Sequence, residues 1–240
     1  MSVAGSAPAV FVTGASSGLG AALAVAYARR HPAVRLGLLG RRESALAEVA
    51  EAVAQASGGR ASAIALAADV TDSRALADAA ARFMAEAGAP DVVVANAGIS
   101  ARTLTGEPAD AEVFRRIVQT NLIALPDTFA PFIAPMRARG SGALVGIASV
   151  AGIRGLPGAS AYSASKAAAI SYMESLRVEL RGSGLRAITI APGYIRTPMT
   201  AGNRYPMPFL TDADVFARKA VRAIEAGRGF VVIPWQMRIV

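Results

Sequence analysis

Cysteine is absent from the 240 residues of this chain, which excludes disulfides, thiol catalysis and cysteine-ligated metal sites. Histidine occurs once, at His31, where it precedes Pro32 in a segment that we expect to be a loop. A single histidine in a loop argues against both a histidine-based catalytic triad and a histidine metal cluster. We therefore expect a protein that works without a metal ion.

Long apolar runs are also missing, because no uninterrupted stretch reaches the length that spans a bilayer. We therefore expect no membrane segment. Residues 1–8 lack a charged segment followed by an apolar one, which is the pattern of a secretory signal. Together with the absence of cysteine, this favours a cytoplasmic protein.

Lysine is scarce: only Lys166 and Lys219 are present, so the formal net charge of +8 comes almost entirely from arginine. The arginines are scattered along the chain and are not interleaved with aromatic residues, as a nucleic-acid groove would require. We expect no nucleic-acid partner. Scattered positive charge instead favours attraction to small anions, including phosphates.

Apolar strand-like segments alternate with helix-forming segments along the chain, at intervals of roughly thirty residues. This alternation predicts an α/β fold, a doubly wound parallel sheet of about seven strands with helices on both faces (a Rossmann fold). We expect the strands over residues 9–13, 34–39, 61–68, 91–95, 142–148, 186–191 and 230–233. With 53% hydrophobic residues, no internal repeat and no linker, residues 1–240 are expected to form one domain.

Helices are expected between these strands, over residues 21–30, 43–56, 72–88, 110–139, 162–181 and 212–225. Thr71 or Asp72 is the expected N-cap of the third helix. The fourth contains Pro126, Pro131 and Pro135, and a proline inside a helix removes a hydrogen bond and clashes with the preceding turn. We therefore expect that helix to be kinked or broken.

Glycines at positions 14, 18 and 20 stand between the first strand and the first helix. Glycine lets a bound group approach the backbone closely, and a helix N-terminus offers free N–H groups and a positive dipole end. The spacing is GxxxGxG, not GxGxxG, but its place between strand and helix predicts a nucleotide phosphate site.

The second strand is followed by Gly40-Arg41-Arg42, and no acidic residue occurs over residues 34–42. In dinucleotide-binding folds an acidic residue here holds the adenosine ribose hydroxyls, whereas arginine accommodates a 2′-phosphate. The paired arginines therefore favour NADPH over NADH. The alternative is that both arginines are simply solvated at the start of the next helix.

Tyr162 and Lys166 stand four residues apart in an alanine-rich segment, so on a helix they share one face. An unperturbed tyrosine has a pKa of about 10, and lowering it by about three units would need roughly 4 kcal/mol. A nearby ammonium group acts in that direction because it favours the phenolate. The pair is a candidate proton donor, although taken alone it is more simply explained as two surface neighbours.

These motifs occur together in one known family, and the chain resembles the compact, single-domain short-chain dehydrogenases/reductases. The matches follow the family's order and spacing over nearly the whole chain: residues 13–20, Asp69, Asn96-Ala97-Gly98, Asn121, Ser149, Tyr162 with Lys166, and Pro192-Gly193 with Thr197. The resemblance implies hydride transfer between a nicotinamide cofactor and a carbonyl or alcohol carbon. Tyr162 would give or take the accompanying proton.

The resemblance also implies a role for each matching residue. Ser149 would hydrogen-bond the substrate carbonyl, and Asn121 would fix a water that connects Lys166 to solvent. Lys166 would hold the nicotinamide ribose and lower the pKa of Tyr162. Asp69 would meet the adenine amine, and Asn96 would steady the central strands. The expected cofactor is NADP(H) in preference to NAD(H), bound by Gly14, Ser16, Ser17, Gly18, Leu19, Gly20, Arg41, Arg42, Asp69, Val70, Asn96, Ala97, Gly98, Tyr162, Lys166, Pro192, Gly193, Ile195 and Thr197.

The substrate class stays open between two enzyme activities, and a third function belongs to another class. The leading function is NADPH-dependent reduction of a ketone or aldehyde, or the reverse reaction. The first alternative is reduction of a 3-oxoacyl thioester on acyl carrier protein. The other is a non-catalytic regulator that senses NADPH. The short segment 198–211, which carries apolar side chains, either leaves an open substrate pocket or merely packs its own loop down.

The assembly is expected to be a homodimer or homotetramer. In the family that the chain resembles, the helices with Asn121 and Tyr162 usually form the dimer interface, so the prolines put the ordinary dimer geometry in doubt. The apolar ending over residues 235–240 either pairs with a partner subunit or begins a C-terminal element missing from this chain.

Overall fold

The computed structural model describes residues 7–104, 106–107, 109–203 and 205–239. Its strands are β1 Ala9–Thr13, β2 Arg35–Gly40, β3 Ser62–Ala67, β4 Val92–Ala95, β5 Gly142–Ile147, β6 Leu185–Pro192, β7 Ile195–Arg196, β8 Thr211–Asp212 and β9 Phe230–Ile233. Seven of them form one parallel sheet in the order β3-β2-β1-β4-β5-β6-β9. The predicted seven-stranded, doubly wound parallel sheet is confirmed.

Helices cover both faces of this sheet. They are α1 Gly18–Arg30, α2 Glu43–Ser57, α3 Ser73–Ala87, α4 Asp110–Val118, α5 Ala124–Arg139, α6 Ser160–Glu179 and α7 Ala213–Glu225. Buried side chains of α1, α2 and α7 share one apolar cluster with the strands, and those of α3, α5 and α6 share another. Each face of the sheet thus has its own core.

The central strand β1 shows why the strand sequences are continuously apolar. All five of its residues are buried, with Val10 and Val12 in one core and Phe11 in the other. The ring of Phe11 packs 5.4 Å from that of Phe83 and 4.8 Å from that of Phe132, measured between ring centroids. A strand covered on both faces has no solvent side, so polar alternation is lost.

The helix with the prolines is not broken. The backbone stays helical from Asp110 to Arg139, and its irregularity is a π segment over Gln119–Ile123, ahead of all three prolines. The N–H of Ala124 donates to the carbonyl of Gln119, five residues back, which is the π pattern. Of the predicted kink or break, the break is therefore wrong, and the kink stays a prediction; Pro131 and Pro135 lie inside α5.

The helix starts are well explained by local chemistry. Asp72 is the N-cap of α3, where its Oδ1 accepts from the N–H groups of Arg74 and Ala75 at 3.0 Å. Helix α1 begins at Gly18, three residues earlier than predicted, so the glycine-rich segment contains its first turn. Helix α6 likewise begins at Ser160, so Tyr162 lies in its first turn.

Both explanations predicted for the apolar C-terminal ending, pairing with a partner subunit or a further C-terminal element, stay predictions. Residues 235–238 form a 3₁₀ turn, and Met237 is buried in a small cluster with Ala191 and Val232. The ending is therefore partly packed against its own sheet, while Trp235 and Ile239 stay exposed. Residues 1–6, which belong to the segment assessed for a signal, and Val240 lie outside the described residues.

The connections place a crevice at one edge of the sheet. All seven strands are parallel, so their carboxyl ends lie along the same edge. Strands β2 and β3 lie on one side of β1, and strands β4, β5 and β6 lie on its other side. Such a switch point between β1 and β4 is where open α/β sheets bind ligands.

Candidate active site

A cleft of about 770 Å³ follows the carboxyl edge of the sheet. One end, which we call the arginine end, is formed by residues 40–42 and 68–71 after β2 and β3. The other, the tyrosine end, is formed by residues 147–149 after β5 together with Tyr162 and Lys166 of α6. The glycine-rich turn after β1 and residues 96–99 after β4 lie along the cleft as well.

Nearly all the residues predicted for the site line this one cleft. They are Gly14, Ser16, Ser17, Gly18, Leu19, Arg41, Arg42, Asp69, Val70, Asn96, Ala97, Gly98, Ser149, Tyr162, Lys166, Pro192, Gly193, Ile195 and Thr197. Two do not line it. Gly20 is buried behind the turn, and Asn121 borders a smaller cavity of about 10 Å³ beneath the cleft.

The glycine-rich turn needs glycine for different reasons at each position. Gly14 has φ +65°, and a Cβ there would lie 2.8 Å from the Cα of Ala97. Gly18 has φ +57° at the first residue of α1. At Gly20 a Cβ would lie 2.3 Å from the carbonyl oxygen of Gly14, so this glycine lets the helix pack onto the turn. Gly20 therefore has a structural role. The first turn of α1 faces the cleft, and its N–H groups have no acceptors within the helix.

Asn96 ties the two central strands together beside the turn. Its Nδ2 donates to the carbonyl of Thr13 at 2.9 Å, and the Thr13 hydroxyl accepts from the N–H groups of Asn96 and Ala97, both at 3.1 Å. Thr13 is fully buried. The ends of β1 and β4 are thus held in a fixed relation where the crevice opens.

The arginine end is exposed and charged. The side chain of Arg41 is 72% exposed, and its Nη1 lies 3.7 Å from Oδ2 of Asp69. Asp69 Oδ1 accepts from both the N–H and the hydroxyl of Thr71 at 2.9 Å. Arg42 instead reaches back to the glycine-rich turn, where its Nη2 donates to the carbonyl and to the hydroxyl oxygen of Ser16 at 3.3 Å.

At the tyrosine end, Ser149 and Tyr162 meet. Ser149 is buried at the end of β5, and its hydroxyl accepts from the N–H of Ala151 at 3.1 Å. Burial raises the pKa of the Tyr162 phenol above its usual value, and a hydrogen bond with Ser149 opposes that rise. Tyr162 is the third residue of α6, where the positive end of the helix dipole also favours a phenolate.

Lys166 is buried in the floor of the cleft, with only 4% of the residue exposed. Its Nζ donates to the carbonyl of Ile147 at 2.7 Å and lies 5.9 Å from the centroid of the Tyr162 ring. Burial lowers the pKa of Lys166 to about 8. The predicted lowering of the Tyr162 pKa by Lys166 stays a prediction: the ammonium group lies near the ring but donates to Ile147, and burial of the phenol acts in the opposite direction.

Asn121 lies in the π segment and uses its side chain within the chain. Its Oδ1 accepts from the N–H of Ile99 at 2.8 Å, and its Nδ2 donates to the Ile99 carbonyl at 3.0 Å and to the Ser165 hydroxyl at 3.1 Å. The amide therefore joins the segment after β4 to α6. Its predicted role, in which the residue fixes a water that connects Lys166 to solvent, stays a prediction.

Several residues of the cleft wall were not predicted from the sequence, among them Arg116, Gln119 and Thr120. These three precede Asn121, and their spacing of three and four residues places them on one face of a helix. That spacing was available in the sequence as a signal. The lid over the glycine-rich turn, Pro198 to Thr200, also lines the cleft.

The segment 198–211 does not pack its large side chains down. Met199, Tyr205 and Phe209 are each about half exposed or more. The segment is closed instead by the short parallel pair β7 and β8, which the sequence did not predict. Arg204 lies outside the described residues.

Within residues 7–104, 106–107, 109–203 and 205–239, no three histidine, cysteine or acidic side chains come together as metal ligands. No helix in that part of the chain combines the length and the apolarity needed to cross a membrane.

His31 contacts Glu225, with 2.6 Å between Nε2 and Oε1, and links α1 to α7 away from the cleft.

The sheet, its switch point and the glycine-rich turn define a Rossmann-fold protein with a crevice of the dinucleotide-binding type. The chain belongs to the short-chain dehydrogenase family of oxidoreductases, whose sequence profile, described as short chain dehydrogenase, matches residues 8–207. The predicted resemblance to this family is confirmed. The family uses nicotinamide cofactors and acts on small-molecule substrates.

Similar proteins agree with this assignment. An uncharacterized oxidoreductase of Myxococcus xanthus is 42% identical over 228 residues, covering 95% of this chain and 88% of that protein. A cis-4-hydroxycyclohexanecarboxylate dehydrogenase of Sinomonas cyclohexanicum is 38% identical over 214 residues, covering 88% and 79%. A solved short-chain dehydrogenase from Sphingobium yanoikuyae, in complex with NADPH, has a TM-score of 0.82 and 29% identity, covering 95% of this chain and 88% of that one.

Proposed function

We propose that this protein is an NADP(H)-dependent oxidoreductase that interconverts a ketone or aldehyde and the corresponding alcohol, with Tyr162 as the proton donor. The observation that carries the proposal is the meeting of Ser149, Tyr162 and Lys166 at one end of a cleft whose other end presents Arg41 and Arg42. The relatives named as dehydrogenases, and the similar structure in complex with NADPH, support it.

The cleft suits a dinucleotide in its charge and extent. It runs from two arginines, past the N-terminus of α1, to a buried lysine. Arginine side chains, a helix N-terminus and a lysine ammonium group all donate hydrogen bonds to phosphate or hydroxyl oxygens. Arg41 and Arg42 would hold a 2′-phosphate, the first turn of α1 the diphosphate, and Lys166 the nicotinamide ribose. When bound there, the cofactor would supply or accept the hydride.

The proton is transferred by the chain's own groups. The Tyr162 hydroxyl gives its proton to the substrate oxygen as negative charge develops on it, while Ser149 donates a hydrogen bond to the same oxygen. The raised pKa keeps Tyr162 protonated at neutral pH, which suits reduction. For oxidation of an alcohol, Tyr162 must accept a proton, so that rate should rise with pH.

The experiment is a screen of NADPH consumption over ketones, aldehydes and thioesters, with Tyr162→Phe and Tyr172→Phe as matched variants on α6. Tyr162→Phe should lose about 100-fold or more of kcat and keep its Kd for NADPH, because only the general acid is removed. Tyr172 lies outside the cleft, so Tyr172→Phe should keep its activity. Unchanged turnover in Tyr162→Phe would contradict the mechanism.

The same screen separates the remaining alternatives. Much faster reduction of acetoacetyl thioesters than of simple ketones would favour the 3-oxoacyl thioester reductase. Tight NADPH binding with no consumption over the whole panel would favour the NADPH-sensing regulator. The expected homodimer or homotetramer is part of the same proposal, and sedimentation of the purified protein would test it.

A further inference from the structure

Helix α6, which carries Tyr162 and Lys166, begins without a cap of its own. Its N-cap residue is Ala159, which has no side chain able to accept a hydrogen bond from the first turn. Tyr162 is only the third residue of the helix, so its position depends on how firmly that turn is held. An uncapped first turn leaves backbone N–H groups in need of acceptors.

The missing cap is supplied by Thr103, 58 residues earlier in the chain. Its Oγ1 accepts from the N–H of Ala161 at 3.3 Å and lies 2.9 Å from the hydroxyl of Ser160. Thr103 is 3% exposed. Its buried hydroxyl therefore provides a hydrogen-bond acceptor for a backbone N–H group in the first turn of α6.

The backbone of Thr103 fixes the same junction. Its N–H donates to the carbonyl of Gly158 at 3.0 Å, and Thr103 forms an isolated parallel bridge with Ala159. The segment that leads to Thr103 starts at Ile99, which Asn121 holds against α6. Both ends of residues 99–103 are thus fastened to elements of the tyrosine end.

We propose that Thr103 is a positioning residue for Tyr162, acting as a cap donated to α6 from the segment after β4. It touches neither the cleft nor the reacting atoms, and acts only by holding the first turn of α6 so that the phenol meets Ser149. This inference rests on the proposed function for its kinetic consequences, but its structural content can be tested without a substrate.

The test compares Thr103→Val, which keeps the volume and removes the hydroxyl, with Thr103→Ser, which restores the hydroxyl. Thr103→Val should lower kcat by about fivefold to tenfold and leave Kd for NADPH within about twofold, because only the cap is lost. Thr103→Ser should recover most of that loss. The pH at which alcohol oxidation reaches half its maximum should rise in Thr103→Val, because the phenol loses part of its contact with Ser149.

A matched control is Thr189→Val. Thr189 is also fully buried, in β6, and its hydroxyl accepts from Nη2 of Arg177 at 3.2 Å, away from the cleft. This variant should lower Tm and leave kcat and the pH profile unchanged. If Thr103→Val behaved in the same way, or if Thr103→Ser failed to restore kcat, the positioning role would be overturned.

Two readouts do not depend on turnover. Hydrogen exchange at the amides of Ala161 and Tyr162 should be faster in Thr103→Val and unchanged in Thr189→Val. Near-ultraviolet titration of the phenolate, with Tyr162→Phe as the blank, should show a higher pKa for Tyr162. Unchanged exchange and titration would overturn the inference even if no substrate were found. If Thr103→Val did not fold, Ser160→Ala would remove the neighbouring hydroxyl contact of Thr103 from an exposed position, and should loosen the first turn of α6 with a smaller effect in the same direction.

Discussion

The two ends of the cleft hold their functional groups in opposite ways. At the arginine end, the side chain of Arg41 is 72% exposed and meets Asp69 only at 3.7 Å. At the tyrosine end, Lys166 is 4% exposed and its ammonium group is fixed on a backbone carbonyl at 2.7 Å. An exposed pair contributes little to stability, whereas a buried charge has a large desolvation cost. Arg41 is therefore held by one weak ion pair, whereas Lys166 is held by a buried hydrogen bond.

Replacing Lys166 should have the largest effect and should separate activity from stability. We expect Lys166→Met to lose about 100-fold or more of kcat, because the group proposed to hold the nicotinamide ribose is removed. Its stability should rise. Burial holds the pKa of Lys166 at about 8, below its usual 10.5, so the charged form costs the folded state about 3 kcal/mol at pH 7.

The sign of this pH dependence is fixed by the direction of the shift. Above pH 10.5 the lysine is neutral in both states and burial costs nothing; as pH falls toward 8, the unfolded chain takes up the proton first and the folded state loses stability. Denaturant unfolding at pH 7 and at pH 10 measures it. The stabilisation by Lys166→Met should be larger at pH 7, and an equal difference at both values would argue against a depressed pKa.

Replacing Asn121 should have an intermediate effect on both properties. Asn121→Leu leaves the N–H and the carbonyl of Ile99 without their partners, at a cost of about 2–4 kcal/mol. We expect a lower Tm, together with a lower kcat because the segment after β4 loses its link to α6. Asn203 lies exposed in the segment after β7, so Asn203→Ala serves as the control and should change neither value. A normal kcat in Asn121→Leu would mean that this link does not position the tyrosine end.

Replacing Arg41 should have the smallest effect and should act on the cofactor alone. Arg41→Ala should raise KM for NADPH by about tenfold and leave KM for NADH nearly unchanged, since only NADPH carries the 2′-phosphate. Arg42→Ala is the matched comparison: it also removes the contacts with Ser16 in the glycine-rich turn, so it should affect both cofactors. Equal effects of Arg41→Ala on both cofactors would show that Arg41 does not read the phosphate.

The same contrast explains what could be predicted from the sequence. The seven strands of the main sheet were predicted with small errors at their ends, because strands such as β1 are apolar on both faces. The family motifs also identified most residues of the cleft. The π segment was missed because the prolines are the only irregular feature that the sequence of this helix displays. The additional residue of the π turn depends on the hydrogen bond of Asn121 with Ile99, which the sequence does not reveal.

Long-range partners were the other limit. Nothing near Thr103 in the sequence indicates that it caps a helix 58 residues away, and the alanine at the N-cap of α6 gives only the hint that a cap is missing. The pKa of Tyr162 could not be derived from its spacing to Lys166 either. Sequence spacing places the two on one face, but the direction of the ammonium group depends on the Ile147 carbonyl of β5.

The π segment over Gln119–Ile123 has a consequence for the two halves of the long helix that it joins. One additional residue in a turn shifts the phase of everything beyond it by about 100°. Before the segment, Arg116 faces the cleft; beyond it, Phe129 and Phe132 face the sheet. Deleting one residue there would restore a regular helix and rotate one of these two surfaces away from its target, so the sheet core and the cleft wall could not both be kept.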